Sequence, residues 1–188
     1  MASVVLWAVV LLFPASEIAL AVMRRARRGI LQHLDEGSMG TLWLVILCGV
    51  GVAVASQWIG GLGLPGPRWL LQGLALLLLV SGLVLRWIAI LSLGRFFTVD
   101  VAIHDQHVLV DKGVYRYVRH PSYTGLLMAF AGLGVFFDNW LGLCAVTLPV
   151  AAALLSRIRK EEAALLDGLG AAYAAYCSRT KRLLPGIY

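Results

Sequence analysis

The chain has 188 residues, of which 60% are hydrophobic and only 14% are charged. A soluble domain carries about 25% charged residues, so this composition excludes an ordinary soluble domain and indicates one membrane-embedded domain. The formal net charge of +6 does not indicate a nucleic-acid partner. The basic residues lie beside apolar segments, as topology signals and contacts with anionic membrane lipids do. The three cysteines are far apart in the sequence and predict neither a disulfide framework nor a metal site.

We expect an all-α, polytopic integral membrane fold with five transmembrane helices, because five apolar runs approach or reach the length that crosses a bilayer. They cover residues 2–22, 39–59, 69–93, 122–136 and 140–157. The last two runs are short and should form a helical hairpin, parted by Asp138 and Asn139, with Pro149 bending its second helix. After residue 157 the chain turns polar. Four residues there follow the spacing of one amphipathic helix: Leu165, Leu169, Tyr173 and Tyr176.

The basic residues predict the orientation of these spans. No basic residue precedes the first apolar run and MRRARR follows it. This is the reverse of a signal peptide and predicts a retained span with its amino terminus outside. Residues 24–36, 94–125 and 157–188 together hold 14 of the 16 Lys and Arg residues. Five spans with an outer amino terminus would place all three segments, and the carboxyl terminus, in the cytoplasm.

Two charged residues lie inside or near the ends of predicted spans. Glu17 either snorkels to the interface or pairs with a charge inside the protein. Arg86 either reaches the interface or faces the bundle interior and holds an anion. Between the second and third spans, the letters GLGLPG at residues 61–66 match a dinucleotide-binding pattern. They lack the preceding strand that such a site needs, so they predict a turn.

The longest polar interruption runs from Gly94 to Gly125 and holds three of the four histidines. A segment with so many hydrogen-bonding groups between apolar helices is where we expect chemistry. Within it, Pro121 disfavours helix at His120 and suits a first helical turn, so RHPSYTG predicts the start of the fourth helix. That start is a candidate anion site with Arg119 and His120 at its edge. The alternative is an ordinary basic helix start at the membrane interface.

Arg157, Glu161 and Glu162 form a second candidate cluster. Arg157 and Glu161 are four residues apart, so they share one face of a helix. They either form an exposed ion pair of small energetic weight or present carboxylates to a cationic ligand at the membrane rim.

The sequence GRFFTVDVAIHDQHVLVDKGVYRYVRHPSYTG, followed by RKEEAALLDGLGAAYAAY, resembles the isoprenylcysteine carboxyl methyltransferase family. The likeness covers the second half of the chain strongly and is closest to small prokaryotic members with five spans. Its most specific parts are RHPSYxG, then EE-x-x-L, then G-x-x-Y-x-x-Y. Phospholipid N-methyltransferases share the wider pattern, and sterol reductases share a related carboxyl half.

The resemblance implies that residues 94–188 bind S-adenosylmethionine on the cytoplasmic side, while residues 1–93 supply the first three spans of the same domain. It implies a cofactor pocket lined by His107, Val108, Leu109, Gly113, Tyr115, Arg119, His120, Tyr123 and Gly125, and closed by Glu161 or Glu162. It also implies a lipid-bearing thioether carboxylate that enters from the bilayer. A prokaryotic inner membrane is the expected location, and no protein partner is expected to be required.

The predicted reaction is methylation of that carboxylate. Methyl transfer from a sulfonium is an in-line displacement, so positioning and exclusion of water dominate. A carboxylate is already ionised near pH 7 and needs no base; it needs cationic guides, for which Arg86 and Arg157 are candidates. The alternative is N- or O-methylation of another lipid, in which an amine acceptor needs Glu162 or His120 as base. A non-catalytic membrane scaffold and a nicotinamide-dependent reductase are further alternatives.

Overall fold

A computed structural model of the chain describes residues 11–19, 38–94 and 109–188. The helices in these ranges are α1, residues 11–19; α2, Ser38–Ala55; α3, Arg68–Leu93; α4, Pro121–Phe136; α5, Trp140–Leu169; and α6, Ala171–Arg179. Ser56–Trp58 and Gly113–Arg116 are short 3₁₀ turns. The described ranges hold two isolated backbone bridges and no strand, which confirms the predicted all-α class.

Within the described ranges, three helices are long and apolar enough to cross a membrane: Gly40–Trp58, Arg68–Leu93 and Trp140–Leu169. Large apolar side chains are exposed along them, among them Leu47, Leu77 and Leu148, as expected of a surface that contacts lipid. α4 is also apolar but has only 16 residues, in agreement with the short run predicted there. The protein is an integral membrane protein. Of the predicted first span, residues 11–19 are described.

α3 and α4 approach each other closely through glycines. A Cβ atom on Gly82 would lie 2.5 Å from the Gly125 carbonyl oxygen, and one on Gly125 would lie 2.5 Å from the Gly82 carbonyl oxygen. Gly132 has a similarly close relation to the α3 backbone. Small residues at such contacts are typical of membrane helices, because lipid gives little hydrophobic drive for association. On α4, Phe130 also packs edge-to-face against Phe13 of α1, with ring centroids 5.1 Å apart.

α2 also packs on α5 through a glycine at the helix contact. A Cβ atom on Gly49 would lie 2.5 Å from the carbonyl oxygen of Ala145. Ala53, one turn further along α2, is fully buried. The α3–α4 and α2–α5 pairs are joined through the α4–α5 hairpin, and the apolar core lies between them.

The buried part of the hairpin turn between α4 and α5 is closed by uncharged groups, while Arg68 and Asp138 form a loose, exposed ion pair at 3.9 Å. Asn139 caps α5, because its Oδ1 accepts a hydrogen bond from the backbone N–H of Gly142 at 2.6 Å. The hydroxyl of Ser56 donates to the same oxygen at 3.0 Å. The preceding residue, Asp138, has φ 55°, a left-handed conformation that asparagine and aspartate tolerate. This confirms the predicted hairpin at Asp138 and Asn139.

The GLGLPG segment at residues 61–66 is a turn that rests on this hairpin, as predicted. Its first and last glycines have φ of +82° and +118°, which glycine adopts without strain. Trp140 donates its backbone N–H to Leu62 at 2.9 Å, and Leu64 donates to Asp138 at 3.3 Å. We call residues 56–66 and 137–142 the turn end of the bundle.

The prediction of a single amphipathic helix after residue 157 is wrong in one respect, because two helices cover this part of the chain. α5 runs unbroken from Trp140 to Leu169, and the chain then breaks at Gly170, where φ is +54°, before α6 begins. A positive φ favours glycine, and a glycine just past the last turn is a common helix stop. Tyr173 and Tyr176 are buried as their spacing predicted.

Candidate active site

The fourth helix begins where the sequence predicts. Pro121 is its first residue, and His120 precedes it with φ −122° and ψ 56°. The two residues before the helix are held by the segment after α6. Arg119 donates its backbone N–H to the Lys181 carbonyl at 2.8 Å, and His120 donates to the Arg182 carbonyl at 2.9 Å. The chain just before α4 is therefore fixed by backbone bonds, independently of any side-chain charge.

Arg119 joins α5 to the end of α6. Its Nε donates to Glu162 Oε1 at 2.9 Å. Its Nη1 donates to the carbonyl of Cys177 at 3.1 Å and to that of Thr180. Carbonyls at a helix end lack partners within the helix, and a guanidinium supplies both hydrogen bonds and complementary charge there. Arg119 therefore has a clear architectural role, and its cofactor contact stays a prediction.

Glu162 is surrounded by two arginines and a histidine. Besides Arg119, its Oε1 lies 3.3 Å from His120 Nε2. Its Oε2 accepts from Arg182, at 2.8 Å from Nε and 2.7 Å from Nη2. A carboxylate has about four lone-pair positions, and these four contacts match that number. Arg182 is a partner that sequence reasoning missed, since nothing in its basic neighbourhood singles it out.

Glu161, by contrast, takes part in a shorter chain of hydrogen bonds. The Tyr123 hydroxyl donates to Glu161 Oε2 at 2.9 Å and accepts from Arg157 Nε at 2.9 Å. His120 Nδ1 lies 3.8 Å from the same carboxylate oxygen, and the His120 ring stacks on Tyr123 with centroids 5.5 Å apart. Among the described residues, no partner contacts Glu161 Oε1, and this side chain is 32% exposed.

The exposed ion pair considered for Arg157 and Glu161 is wrong. Arg157 is only 4% exposed, and its Nε reaches Glu161 through the Tyr123 hydroxyl. α5 continues as an unbroken helix through both residues, so one rigid element presents them together. The structure therefore gathers Arg157, Glu161, His120 and Tyr123 at one place, as the sequence analysis expected.

The chain from residue 109 to 118 forms a second side of this region. Gly113 has φ +61°, and Tyr115, in the following 3₁₀ turn, is buried. The Tyr115 hydroxyl donates to the Ala89 carbonyl at 3.3 Å, and the Tyr176 hydroxyl donates to the Tyr115 carbonyl at 2.6 Å. Burial raises the pKa of Tyr115 well above its ordinary value and that of Tyr176 to about 12. Both phenols are therefore neutral donors at physiological pH.

Two other residues expected in the cofactor pocket lie outside the described ranges, namely His107 and Val108. Leu109 is half-buried at the start of the described segment. Gly125 packs tightly on α3, with its Cβ position 2.7 Å from the backbone nitrogen of Arg86. This is the close approach of backbone that glycine permits, and a part in the cofactor pocket stays a prediction for all four residues.

Arg86 faces the interior of the bundle, so the snorkelling alternative is wrong for it. It is 7% exposed. Its Nε and Nη2 each lie 2.5 Å from an oxygen of Glu17 in α1, and its Nη1 donates to the Ser122 hydroxyl at 2.8 Å. Glu17 is accordingly an internal ion-pair partner, the second of the two readings considered. Arg86 and Arg157 thus contact neighbouring residues of α4, Ser122 and Tyr123.

We call residues 113–125, 157–162 and 173–183 the site end of the bundle.

A family model described as the isoprenylcysteine carboxyl methyltransferase (ICMT) family matches residues 74–167. The chain is 36% identical over 121 residues to a probable protein-S-isoprenylcysteine O-methyltransferase of Oryza sativa subsp. indica, and the match covers 63% of each protein. It is 33% identical over 145 residues to the protein-S-isoprenylcysteine O-methyltransferase of Tribolium castaneum, covering 72% of this chain and 51% of that protein.

A solved structure, described as the eukaryotic intramembrane Ras methyltransferase ICMT, has a similar fold. The TM-score is 0.59 at 29% identity, over 86% of this chain and 55% of that one. The chain spans 63% of the length of its rice relative. The family match contains the start of α4 and the cluster of Arg157, Glu161 and Glu162. The chain belongs to the isoprenylcysteine carboxyl methyltransferase family.

Proposed function

We propose that this protein is an S-adenosylmethionine-dependent methyltransferase that methylates the carboxylate of a lipophilic, prenyl-thioether substrate of the isoprenylcysteine type. The observation that carries the proposal is the hydrogen-bonded chain of Arg157, Tyr123 and Glu161, with the His120 ring stacked on Tyr123, in the part of the chain that matches the family. Proteins with recognisable similarity to this chain are named as isoprenylcysteine O-methyltransferases, and the local chemistry fits that reaction.

The side chains at the site end fit the amino-acid portion of the cofactor. That portion carries an ammonium, which needs a carboxylate with free acceptor capacity. Glu161 has such capacity at Oε1, whereas the four hydrogen-bond positions of Glu162 are taken by Arg119, His120 and Arg182. We therefore assign Glu161 to the cofactor and give Glu162 the task of holding Arg119, Arg182 and His120 in place. When bound, the cofactor supplies an activated methyl group on its sulfonium.

The acceptor would be held by arginine. A carboxylate is recognised best by a guanidinium, through two parallel hydrogen bonds. Arg157 is buried and lies on the same helix as Glu161, so it would bring the acceptor next to the cofactor. Two donor nitrogens of Arg86 are already engaged by Glu17. Its contribution would be to hold Ser122 and the start of α4, with an acceptor contact only if that ion pair opens.

An amine acceptor fits the geometry less well than a carboxylate. An amine must lose a proton, which requires a base with an available lone pair. Glu162 and His120 were the two candidates for that role. The oxygens of Glu162 are occupied by donors, and the free acceptor capacity of Glu161 is assigned to the cofactor. His120 Nε2 is directed to the Glu162 carboxylate. A carboxylate acceptor requires no base, and this supports it over a phospholipid amine.

We also propose that the domain has five spans, with its amino terminus outside and its basic segments, carboxyl terminus and cofactor pocket on the cytoplasmic face of a prokaryotic inner membrane. Residues 1–93 would supply three spans and residues 94–188 the cofactor-binding half. The distribution of Lys and Arg supports this orientation.

Single cysteines placed at residues 30 and 106, in a variant without native cysteines, should react only with membrane-permeant thiol reagents in intact cells. Labelling of residue 106 from outside would contradict the orientation.

Methyl-transfer assays test the activity. Purified protein in lipid nanodiscs would be given the radiolabelled cofactor and a matched series of farnesyl lipids that end in a carboxylate, an amine or a phenol. We expect transfer to the thioether carboxylate, and loss of transfer in Arg157→Ala. Transfer to the amine or the phenol, without transfer to the carboxylate, would contradict the proposal and favour the alternative.

A further inference from the structure

Tyr173, in the first turn of α6, has a buried hydroxyl for which the described part of the chain offers no partner. The residue is 2% exposed, and within the described ranges its oxygen makes no hydrogen bond. A buried polar group that is left unpaired is destabilising, and most such groups in proteins are paired. A phenylalanine would fill the same space without this penalty, so the hydroxyl calls for an explanation.

Tyr176, on the same face of α6, shows what a structural tyrosine looks like here. Its ring lies 6.0 Å from that of Tyr173. Its hydroxyl donates to the Tyr115 carbonyl at 2.6 Å and thereby anchors the segment before α4. The two tyrosines therefore have matching burial but different hydrogen bonding, and only the Tyr176 hydroxyl is accounted for by the fold as described.

The surroundings of Tyr173 are those of the candidate cofactor site. Burial and the nearby carboxylates of Glu162 and Glu161 raise its pKa well above the ordinary value, so the phenol stays neutral and can both donate and accept. Both carboxylates are thus within electrostatic range of its oxygen. Arg119 acts on the phenol in the opposite sense, and it is the Glu161 carboxylate that would favour an ammonium beside this hydroxyl. Glu161 Oε1 also lacks a partner among the described residues.

We propose that Tyr173 is a further cofactor-binding residue, whose hydroxyl hydrogen-bonds the amino end of the bound cofactor beside Glu161. The proposal rests on the proposed function, because it assigns a residue to the same site. Tyr173 would act by binding and orienting, with no part in proton transfer. The cofactor would then supply the partner that this buried hydroxyl lacks among the described residues.

Two ligands and three variants test this inference. S-Adenosylhomocysteine carries the amino-acid end, whereas methylthioadenosine has the same adenosine thioether without it. Calorimetry on the full-length protein should show that Tyr173→Phe binds S-adenosylhomocysteine about five- to tenfold more weakly, the usual effect of one lost hydrogen bond. Its affinity for methylthioadenosine should be unchanged. The ligand-free melting temperature should be unchanged or higher, because no protein hydrogen bond is lost.

Tyr117→Phe is the matched control, since Tyr117 is 63% exposed; it should leave both affinities and the melting temperature unchanged. Tyr176→Phe, which loses a protein hydrogen bond, should melt at a lower temperature. Two outcomes would overturn the inference: wild-type affinity of Tyr173→Phe for S-adenosylhomocysteine, or a fall in its ligand-free melting temperature equal to that of Tyr176→Phe. With either outcome, binding of S-adenosylhomocysteine by the wild-type protein would leave the proposed function intact. If the wild-type protein binds neither ligand, the proposed function fails and the inference with it.

Discussion

The two ends of the α4–α5 hairpin are stabilised by different chemistry. At the turn end, Asn139 and backbone groups provide the hydrogen bonds that join α2, the 61–66 turn and the hairpin. At the site end, the same two helices carry Arg157, Glu161 and Glu162 against His120 and Tyr123. Burying charge is costly, and apolar side chains commonly do the same structural work with equal or greater stability. The turn end shows that this hairpin can be closed without buried charge, since its one charged contact, Arg68 with Asp138 at 3.9 Å, is exposed; this supports the proposal that the site end holds its charges for a ligand.

The largest effect on stability should come from Glu162→Ala. It leaves Arg119, Arg182 and His120 without their shared carboxylate, and removing one partner from a buried ion pair costs about 3–5 kcal/mol. We expect a marked drop in the melting temperature, measured in detergent, and at least tenfold weaker binding of S-adenosylhomocysteine. Asp167→Asn, a change at an exposed acidic residue of α5, is the control. An unchanged melting temperature of Glu162→Ala would mean that Glu162 does not hold the site end together.

The Arg86–Glu17 pair offers the next test, because both partners can be removed together. Arg86→Leu leaves a carboxylate unpaired inside the bundle and should cost about 3 kcal/mol, whereas Arg86→Leu with Glu17→Leu should recover most of that stability. Arg86→Lys should retain little activity, since an ammonium cannot reproduce the two-nitrogen contact with Glu17.

Kinetics on the same variants separate a role in the reaction from a role in anchoring. We expect Arg86→Leu to lose methyl transfer while its affinity for S-adenosylhomocysteine stays near that of the wild type. The turnover of the double variant, Arg86→Leu with Glu17→Leu, distinguishes a role of Arg86 in the reaction from a role in folding. Near-normal turnover there would show that the pair serves folding alone.

Glu161→Gln should affect binding more than folding. The amide oxygen can still accept from the Tyr123 hydroxyl, so the melting temperature should change little. The negative charge proposed to meet the cofactor is lost, and a charge-assisted hydrogen bond contributes about 1.5–3 kcal/mol. We expect S-adenosylhomocysteine to bind at least tenfold more weakly by calorimetry. Equal affinities for the variant and the wild type would remove Glu161 from the cofactor site.

The smallest expected effect is at the turn end. Asn139→Ala removes the cap of α5 and should lower stability by about 1 kcal/mol, seen as a modest fall in the melting temperature. The affinity for S-adenosylhomocysteine should not change. Weaker ligand binding in this variant would show that the two ends of the hairpin are energetically coupled, against the division of tasks described above.

Local rules predicted the features that depend on adjacent residues. The start of α4 follows from Pro121 and the hairpin from Asp138 and Asn139, because each fixes the backbone within a few residues. The pairing of Arg86 with Glu17 joins residues 69 apart in the sequence. Sequence reasoning offered an internal role for each residue as one of two alternatives and did not name the pair, since helix packing decides which charges meet. The contacts of Arg182 with Glu162 gave no local signal at all.

The end of α5 before Gly170 had a local signal in the sequence, the glycine itself. The prediction gave more weight to the helical spacing of the tyrosines. Glycine at the end of a periodic segment commonly ends a helix. The tyrosines beyond it keep the predicted buried face because α6 resumes after one residue. Periodicity therefore identified the buried residues correctly and the number of helices incorrectly.

The unbroken course of α5 would determine how far apart the two proposed substrates are held. Arg157 and Glu161 are separated by one helical turn, or about 6 Å along the axis at 1.5 Å per residue. A lipid-borne acceptor at the first and a water-soluble donor at the second would therefore meet at a spacing set by helix geometry, without a moving loop. Insertion of one residue between them would rotate one relative to the other by about 100°, so the register of this single turn is as much a requirement for the reaction as the identity of either side chain.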